Sequence, residues 1–270
     1  MFASTRKSIL PILLLLLVVA SPAFAKKHET GFLDRTVNIA GVTYKYQVFV
    51  PDDWTSSKKW PIILFLHGAG ERADDGLDQT EVGIGTAIRR YRSRFPAIVV
   101  MPQCRKDVHW AQSPMDDVAI AALTQSQKEF HGDPQHTYLT GLSMGGYGTW
   151  YLAGKYPHKF AAIVPICGGV LVPEKARAQS PDDTTPYTEA AKKIGPGVPT
   201  WIFHGGADPV VPVTESQRMN EAMKALGGEV HYTEYPGVGH DSWVKAYAEP
   251  DLITWMLSKS LNSSASAAKK

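Results

Sequence analysis

His136-Thr-Tyr-Leu-Thr-Gly-Leu-Ser-Met-Gly-Gly-Tyr-Gly148 is the stretch on which the reading of the fold turns. Gly141, Ser143 and Gly145 fit Gly-x-Ser-x-Gly, the pattern in which a strand bends sharply into a helix and presents a serine hydroxyl at the bend. Upstream, Thr137 to Thr140 is a β-branched and aromatic run, which predicts a buried strand. Downstream, Tyr147 to Tyr156 has no internal proline and stops at Pro157, which predicts a helix. A side chain at Gly141 or Gly145 would collide with neighbouring backbone in such a turn, and Gly146 and Gly148 would let the helix lie close to the sheet. Five residues of this kind also occur as plain glycine-rich turns, so the pattern needs partners elsewhere in the chain.

The flanking sequence predicts strands alternating with helices. Residues Thr36 to Ile39 and Val42 to Val50 alternate apolar and polar positions around Gly41, an antiparallel hairpin. Residues 61–67 are apolar on both faces, as a central strand covered on both sides would be, and end in His67-Gly68-Ala69-Gly70. A helix is expected near Ile84 to Tyr91 and a buried strand over Ala97 to Met101. Ser113, Pro114 and Asp116 carry helix-start signals for a helix running to about Phe130. Further strands are expected at Phe160 to Ile166, Pro199 to His204 and Val230 to Tyr235. Between them lie a short helix at Thr188 to Ile194 and a helix capped by Thr214 with Gln217 and ended by Gly227. A last helix spans Leu252 to Leu261, and residues 262–270 read as a disordered tail. After the opening hairpin this order gives a mostly parallel sheet with right-handed crossovers and helices on both faces. Residues 26–261 form one domain with no room for a large lid.

Composition narrows the functional classes. With 270 residues, 44% hydrophobic and 20% charged, the chain has the make-up of an ordinary globular domain. Arg6 and Lys7 precede an apolar run from Ile9 to Ala20, and Ala23-Phe24-Ala25 is a small-x-small cleavage site, so residues 1–25 read as a secretory signal peptide. The apolar run is short for a membrane span. Loss of those two cations lowers the formal charge from +2 to zero, which leaves no footprint for nucleic acid or anionic membrane. An exported chain is expected in the periplasm or outside the cell. There Cys104 and Cys167 could either pair or stay as two small buried residues near strand ends. No metal-ligand spacing is present.

A serine hydroxyl needs a base, and the base needs an orienting carboxylate. In open parallel sheets the reacting groups lie beyond the carboxyl ends of the strands. Asp208, in His204-Gly-Gly-Ala-Asp-Pro, and His240, in Gly237-Val-Gly-His-Asp, follow later strands in the order Ser, Asp, His. Either alone would read as a turn former or a solvated loop histidine; with the elbow they read as a triad. Oxyanion donors are worth roughly 3 to 4 kcal/mol each, and the expected pair is the backbone N–H of Met144 and that of Ala69. His67 and His204 end buried strands and are read as loop-holding residues rather than bases. Trp110 and Tyr147 are candidate substrate-stacking aromatics, with packing as the alternative for each. Glu71 and Arg72 read either as an ion pair steadying the oxyanion loop or as solvated charges.

Six motifs, His67-Gly-Ala-Gly-Glu-Arg, Met101-Pro-Gln-Cys with Trp110 following, Gly141-Leu-Ser-Met-Gly-Gly, Pro165-Ile-Cys-Gly-Gly, His204-Gly-Gly-Ala-Asp and Gly239-His240, resemble in order those of the α/β-hydrolase superfamily. More narrowly the chain is similar to small exported esterases labelled predicted peptidases, related to feruloyl esterases, acetylxylan esterases and polyhydroxybutyrate depolymerases. The likeness covers about Pro61 to Trp243. It implies the α/β-hydrolase fold, a triad at Ser143, Asp208 and His240, an oxyanion loop at Ala69, and no cofactor. Prolyl oligopeptidases share the catalytic domain but carry a large N-terminal propeller for which this chain has no room. The expectation is therefore an exported serine carboxylesterase acting on a small or polysaccharide-linked ester, feruloyl or acetyl among the candidates. A serine peptidase cutting short peptides is the alternative, and a noncatalytic binding protein on the same scaffold a weaker one.

Overall fold

The computed structural model describes residue 1, residues 29–178, residue 180 and residues 182–261. The expected signal peptide, Met1 apart, and the expected tail lie outside the described residues. In chain order the elements are β1 (Gly31–Ile39), β2 (Val42–Val50), β3 (Trp60–Leu66), α1 (Ile84–Arg90), β4 (Ile98–Pro102), α2 (Met115–Glu129), β5 (Gly132–Leu142) and α3 (Met144–Lys155). There follow β6 (Ala162–Ile166), α4 (Pro173–Ala178), α5 (Thr185–Ile194), β7 (Thr200–Gly205), α6 (Thr214–Ala225), β8 (Val230–Tyr235), α7 (Trp243–Ala246) and α8 (Leu252–Leu257).

The strands form one eight-stranded sheet in the order β1-β2-β4-β3-β5-β6-β7-β8. β1 and β2 pair antiparallel, as do β2 and β4, and every later neighbour is parallel. This is the expected mostly parallel sheet led by an antiparallel hairpin. Alternation along β3 divides the core: Ile62, Leu64 and Leu66 join a cluster with α2, α3, α5 and α6, while Ile63 and Phe65 join one with α1 and α8. With Ile62 to Leu66 of β3 and all of β4 and β6 removed from water, at about 25 cal/mol per Å² of apolar surface, the sheet is a firm frame for the loops at its carboxyl edge.

Two helix starts differ from expectation. Pro114, not Ser113, is the residue before α2, and Val213, not Thr214, the one before α6, with no side-chain cap in either case. Tertiary partners have taken the expected capping groups. Asp116 is buried and accepts from Lys155 and, at 3.2 Å, from Tyr151 Oη; Gln217 donates to Glu234 Oε2 at 3.0 Å. The cysteine alternatives also separate: both thiols are free and buried, in clusters on opposite faces of the sheet. Burial pushes the Cys104 thiol up to about 12 and the Cys167 thiol further. Among the described residues no helix is long and apolar enough to cross a membrane.

Candidate active site

Strand β5 runs straight into α3, and the chain makes the turn at Ser143, whose φ of 52° and ψ of −118° are a strained pair for a residue with a side chain. Close backbone contact imposes the strain. A Cβ at Gly145 would lie 1.9 Å from Leu66 O, and one at Gly141 would lie 2.3 Å from Gly145 O. Only glycine at both positions lets the helix start this near to β3 and β5. The bend leaves Ser143 half-buried at the head of α3, with its N–H donating to Ile166 O at 2.9 Å.

Two later loops bring their side chains to this serine. His240, after β8, places Nε2 2.8 Å from Ser143 Oγ and Nδ1 2.7 Å from Asp208 Oδ2. With Nδ1–H donating to the carboxylate, the Nε2 lone pair is left for the serine proton. Asp208, after β7, has a fully buried side chain, whereas that of His240 keeps 19% of its exposure and so can meet a substrate. Burial would push the Asp208 carboxyl up. Hydrogen bonds from His204, from His240 and from the Val211 and Val210 N–H groups outweigh it and hold the group well below the ordinary carboxylate range. The three residues singled out in the sequence therefore stand in one hydrogen-bonded row, able to generate an alkoxide-like nucleophile and to shuttle its proton.

Met144 and Ala69 line the same cavity as Ser143. Each begins a helical turn, where an N–H has no acceptor of its own, and neither donates to another group among the described residues. The Ala69 loop is tied down by His67, which is fully buried: Nδ1 meets Gly68 O at 2.6 Å and Nε2 meets the Cys104 N–H at 2.9 Å. A carbonyl on one side and an amide on the other require a neutral ring protonated at Nδ1, and burial lowers its pKa to about 4. Arg72 joins the loop differently from the ion pair considered above. Its Nε donates to Ala69 O at 3.0 Å and its Nη1 to Val108 O at 3.3 Å. Glu71 turns inward, its Oε2 3.9 Å from His67 Nδ1, and burial pushes its carboxyl up.

A cavity of about 690 Å³ opens beside Ser143, with Ala69, Trp110, Met144, Tyr147, Gly169 and Val170 among its walls. Trp110 is fully buried rather than free in a polar loop, because its Nε1 donates to His67 O at 3.0 Å and its ring stands edge-on to His67. It can form wall but not a free stacking platform. Tyr147 is half-buried, and its hydroxyl is enclosed without a hydrogen-bond partner. Burial pushes that phenol upward.

Two buried supports carry no signal in the sequence itself. Glu215, fully buried at the start of α6, accepts the Val170 and Leu171 N–H groups at 2.7 and 3.0 Å and the hydroxyl of Tyr187 from α5. It thus staples the wall segment after β6. Ser216, next along, bonds His204 at 2.7 Å.

A family model described as Phospholipase/Carboxylesterase matches residues 120–249. A thermostable esterase of known structure superposes with a TM-score of 0.72 at 33% identity, over 85% of this chain and 63% of the esterase. The chain has the α/β-hydrolase fold and is similar to carboxylesterases that share it. Among curated esterases, a probable feruloyl esterase C of Aspergillus flavus is 26% identical over 74% of this chain and 68% of its own length. An uncharacterized secreted protein of Arthroderma benhamiae is 27% identical over 73% of this chain, which spans only 23% of that longer protein. Cys167, Asp208 and His240 could together offer a metal three ligand atoms, yet Asp208 and His240 are already bonded to each other, and acyl transfer by this row needs no metal.

Proposed function

We propose that this α/β-hydrolase is an exported serine carboxylesterase that works through an acyl-enzyme. Ser143 Oγ attacks the ester carbonyl while His240 Nε2 takes its proton. Asp208 keeps the imidazole in the Nδ1–H tautomer and stabilises the imidazolium, and the N–H groups of Met144 and Ala69 receive the charge that develops on the carbonyl oxygen. Collapse of the tetrahedral intermediate breaks the C–O bond as His240 returns the proton to the leaving alcohol. Water then repeats the cycle on the acyl-enzyme and frees the acid. The contact of 2.8 Å between His240 Nε2 and Ser143 Oγ carries this reading.

The cavity favours an ester with a bulky apolar group over an acetyl ester, since an acetyl group would leave most of about 690 Å³ unfilled. Exposed Tyr151, Val172 and Val210 extend its apolar lining to the surface. A feruloyl-type aromatic ester suits such a space, and relatives named as feruloyl esterases support that choice. Export is supported by the charged, apolar and small-residue order of residues 1–25 and by the relative named as secreted.

Hydrolysis of p-nitrophenyl acetate, butyrate and octanoate, methyl ferulate, acetylated xylan and a peptide anilide by wild type and Ser143→Ala tests the proposal. Turnover of the bulkier esters, abolished in the variant, is expected. Cleavage of the anilide alone would replace the esterase with a peptidase.

A further inference from the structure

The carboxylate of the candidate triad meets a second imidazole. His204 is the fifth residue of β7, fully buried, and its Nε2 lies 3.3 Å from Asp208 Oδ2 and 3.1 Å from Val211 O. Its other nitrogen, Nδ1, lies 2.7 Å from the hydroxyl of Ser216, which is 1% exposed. Nε2 faces only acceptors and so must carry hydrogen. In the neutral ring Nδ1 is then a lone pair, and the Ser216 O–H must donate to it.

We propose that His204 and Ser216 are positioning residues for the acid of the triad: Ser216 selects the tautomer of His204, and His204 holds Asp208 in the orientation that His240 needs. This rests on the triad reading. Asp208 Oδ1 accepts the Val210 and Val211 N–H groups at 2.8 and 3.0 Å, while Oδ2 is shared between His240 and His204. Both oxygens are thereby committed, and the carboxylate cannot rotate without leaving the buried His204 N–H or a loop N–H unpaired, which is costly. Val211 is held from both sides, its N–H on Asp208 and its carbonyl on His204. Packing alone does not account for the choice of residues. An apolar side chain at position 204 would fill the space without burying two ring nitrogens that then need partners. The row Ser216, His204, Asp208, His240, Ser143 carries orientation from the first turn of α6 to the nucleophile.

The test measures kcat and KM separately for an aryl ester in wild type, Ser143→Ala, His204→Leu, His204→Gln, Ser216→Ala, Asp208→Asn and the double variant of His204→Leu with Asp208→Asn, each checked for folding by thermal melting. His204→Leu should lose about 10- to 100-fold in kcat, the range typical of groups that orient a catalytic ligand, with KM within about twofold. His204→Gln, which returns an N–H donor near the Nε2 position, should recover most of the loss. Ser216→Ala should show the same kcat-only effect, and adding His204→Leu to Asp208→Asn should cost almost nothing more, because the two act through one carboxylate. Unchanged kcat in folded Ser216→Ala and His204→Leu, equal losses in Leu and Gln, or losses confined to KM would overturn the proposal and leave the triad standing. Should His204→Leu fail to fold, Ser216→Ala decides. Full turnover by Ser143→Ala would instead overturn the triad reading, and this proposal with it.

Discussion

Strands β3 and β7 end alike, in Leu66-His67-Gly68 and Phe203-His204-Gly205, and both histidines are fully buried. Each imidazole is tethered through both nitrogens and holds the loop that leaves its strand. The partners differ. His67 spans a carbonyl and an amide, Gly68 O and Cys104 N, so it fixes the backbone that leads into Ala69. His204 spans a hydroxyl on one side and a carbonyl with a carboxylate on the other, so it fixes a charge. The same residue at the same topological place thus serves a neutral donor loop at one end of the site and an ionised acid loop at the other. In the proposed mechanism, removing the charge should cost more than removing the amide, because a buried carboxylate would work through the whole proton-transfer row, whereas an oxyanion donor would be one of two.

Asp208→Asn breaks the acid end most directly. It should lower kcat by ~10⁴-fold with the protein still folded, because an amide in place of the carboxylate favours the wrong tautomer of His240. Steady-state kinetics on the best aryl ester checks this, and a loss under tenfold would remove the distinction between the two ends. Ala69→Pro deletes the N–H at the other end while keeping a residue suited to the first position of a helical turn. The expected loss is about 10²–10³-fold in kcat with little change in KM.

Protonation separates the two ends further. The His67 pKa is lowered from 6.5 to about 4 by burial, so below pH 6.5 the unfolded chain takes up a proton that the folded chain refuses. The stability supplied by the neutral ring is complete above pH 6.5 and is lost as the pH falls toward 4, a change of about 3 kcal/mol. Urea unfolding of wild type and His67→Asn across that window should show this difference in slope, and parallel curves would contradict it. The Asp208 carboxyl is depressed instead. Its contribution is present above its unfolded value, near 4, and is lost only as the pH falls below that. The smallest effect is expected at a third strand end. Glu215→Gln weakens the staple on Val170 and Leu171 and should raise KM for bulky esters by about tenfold while sparing acetate, equivalent to about 1.4 kcal/mol; equal changes for both substrates would detach Glu215 from the pocket.

What the sequence made legible follows from the range of each interaction. The elbow is local: glycine spacing, a β-branched run and Pro157 lie within about twenty residues, and β8 falls on the expected Val230–Tyr235. β5 begins earlier than its apolar run, at Gly132, because pairing of Gly132 with Trp60 draws a polar, proline-containing segment into the sheet. Helix α4, rich in charge and opened by Pro173, offered no apolar stripe to read. Glu215 looks in sequence like an acid favoring a helix start. Its burial depends on Gly169, where a Cβ would come within 2.2 Å of Glu215 Oε2, and no pattern within α6 reveals that glycine. The sequence marks His204 as a loop holder, but its link to Ser216 exists only once α6 is packed on β7. For Trp110 the packing alternative holds: the residues around it are polar, yet its own ring is drawn under the loop by His67.

The most direct measurement is covalent labelling of the folded full chain with a fluorophosphonate, followed by peptide mass mapping of wild type and His240→Ala. A single adduct on Ser143 that forms rapidly in wild type and is lost or slowed at least a hundredfold in the variant is the predicted result. An unlabelled Ser143, or labelling at the same rate without His240, would contradict a nucleophile activated by this histidine.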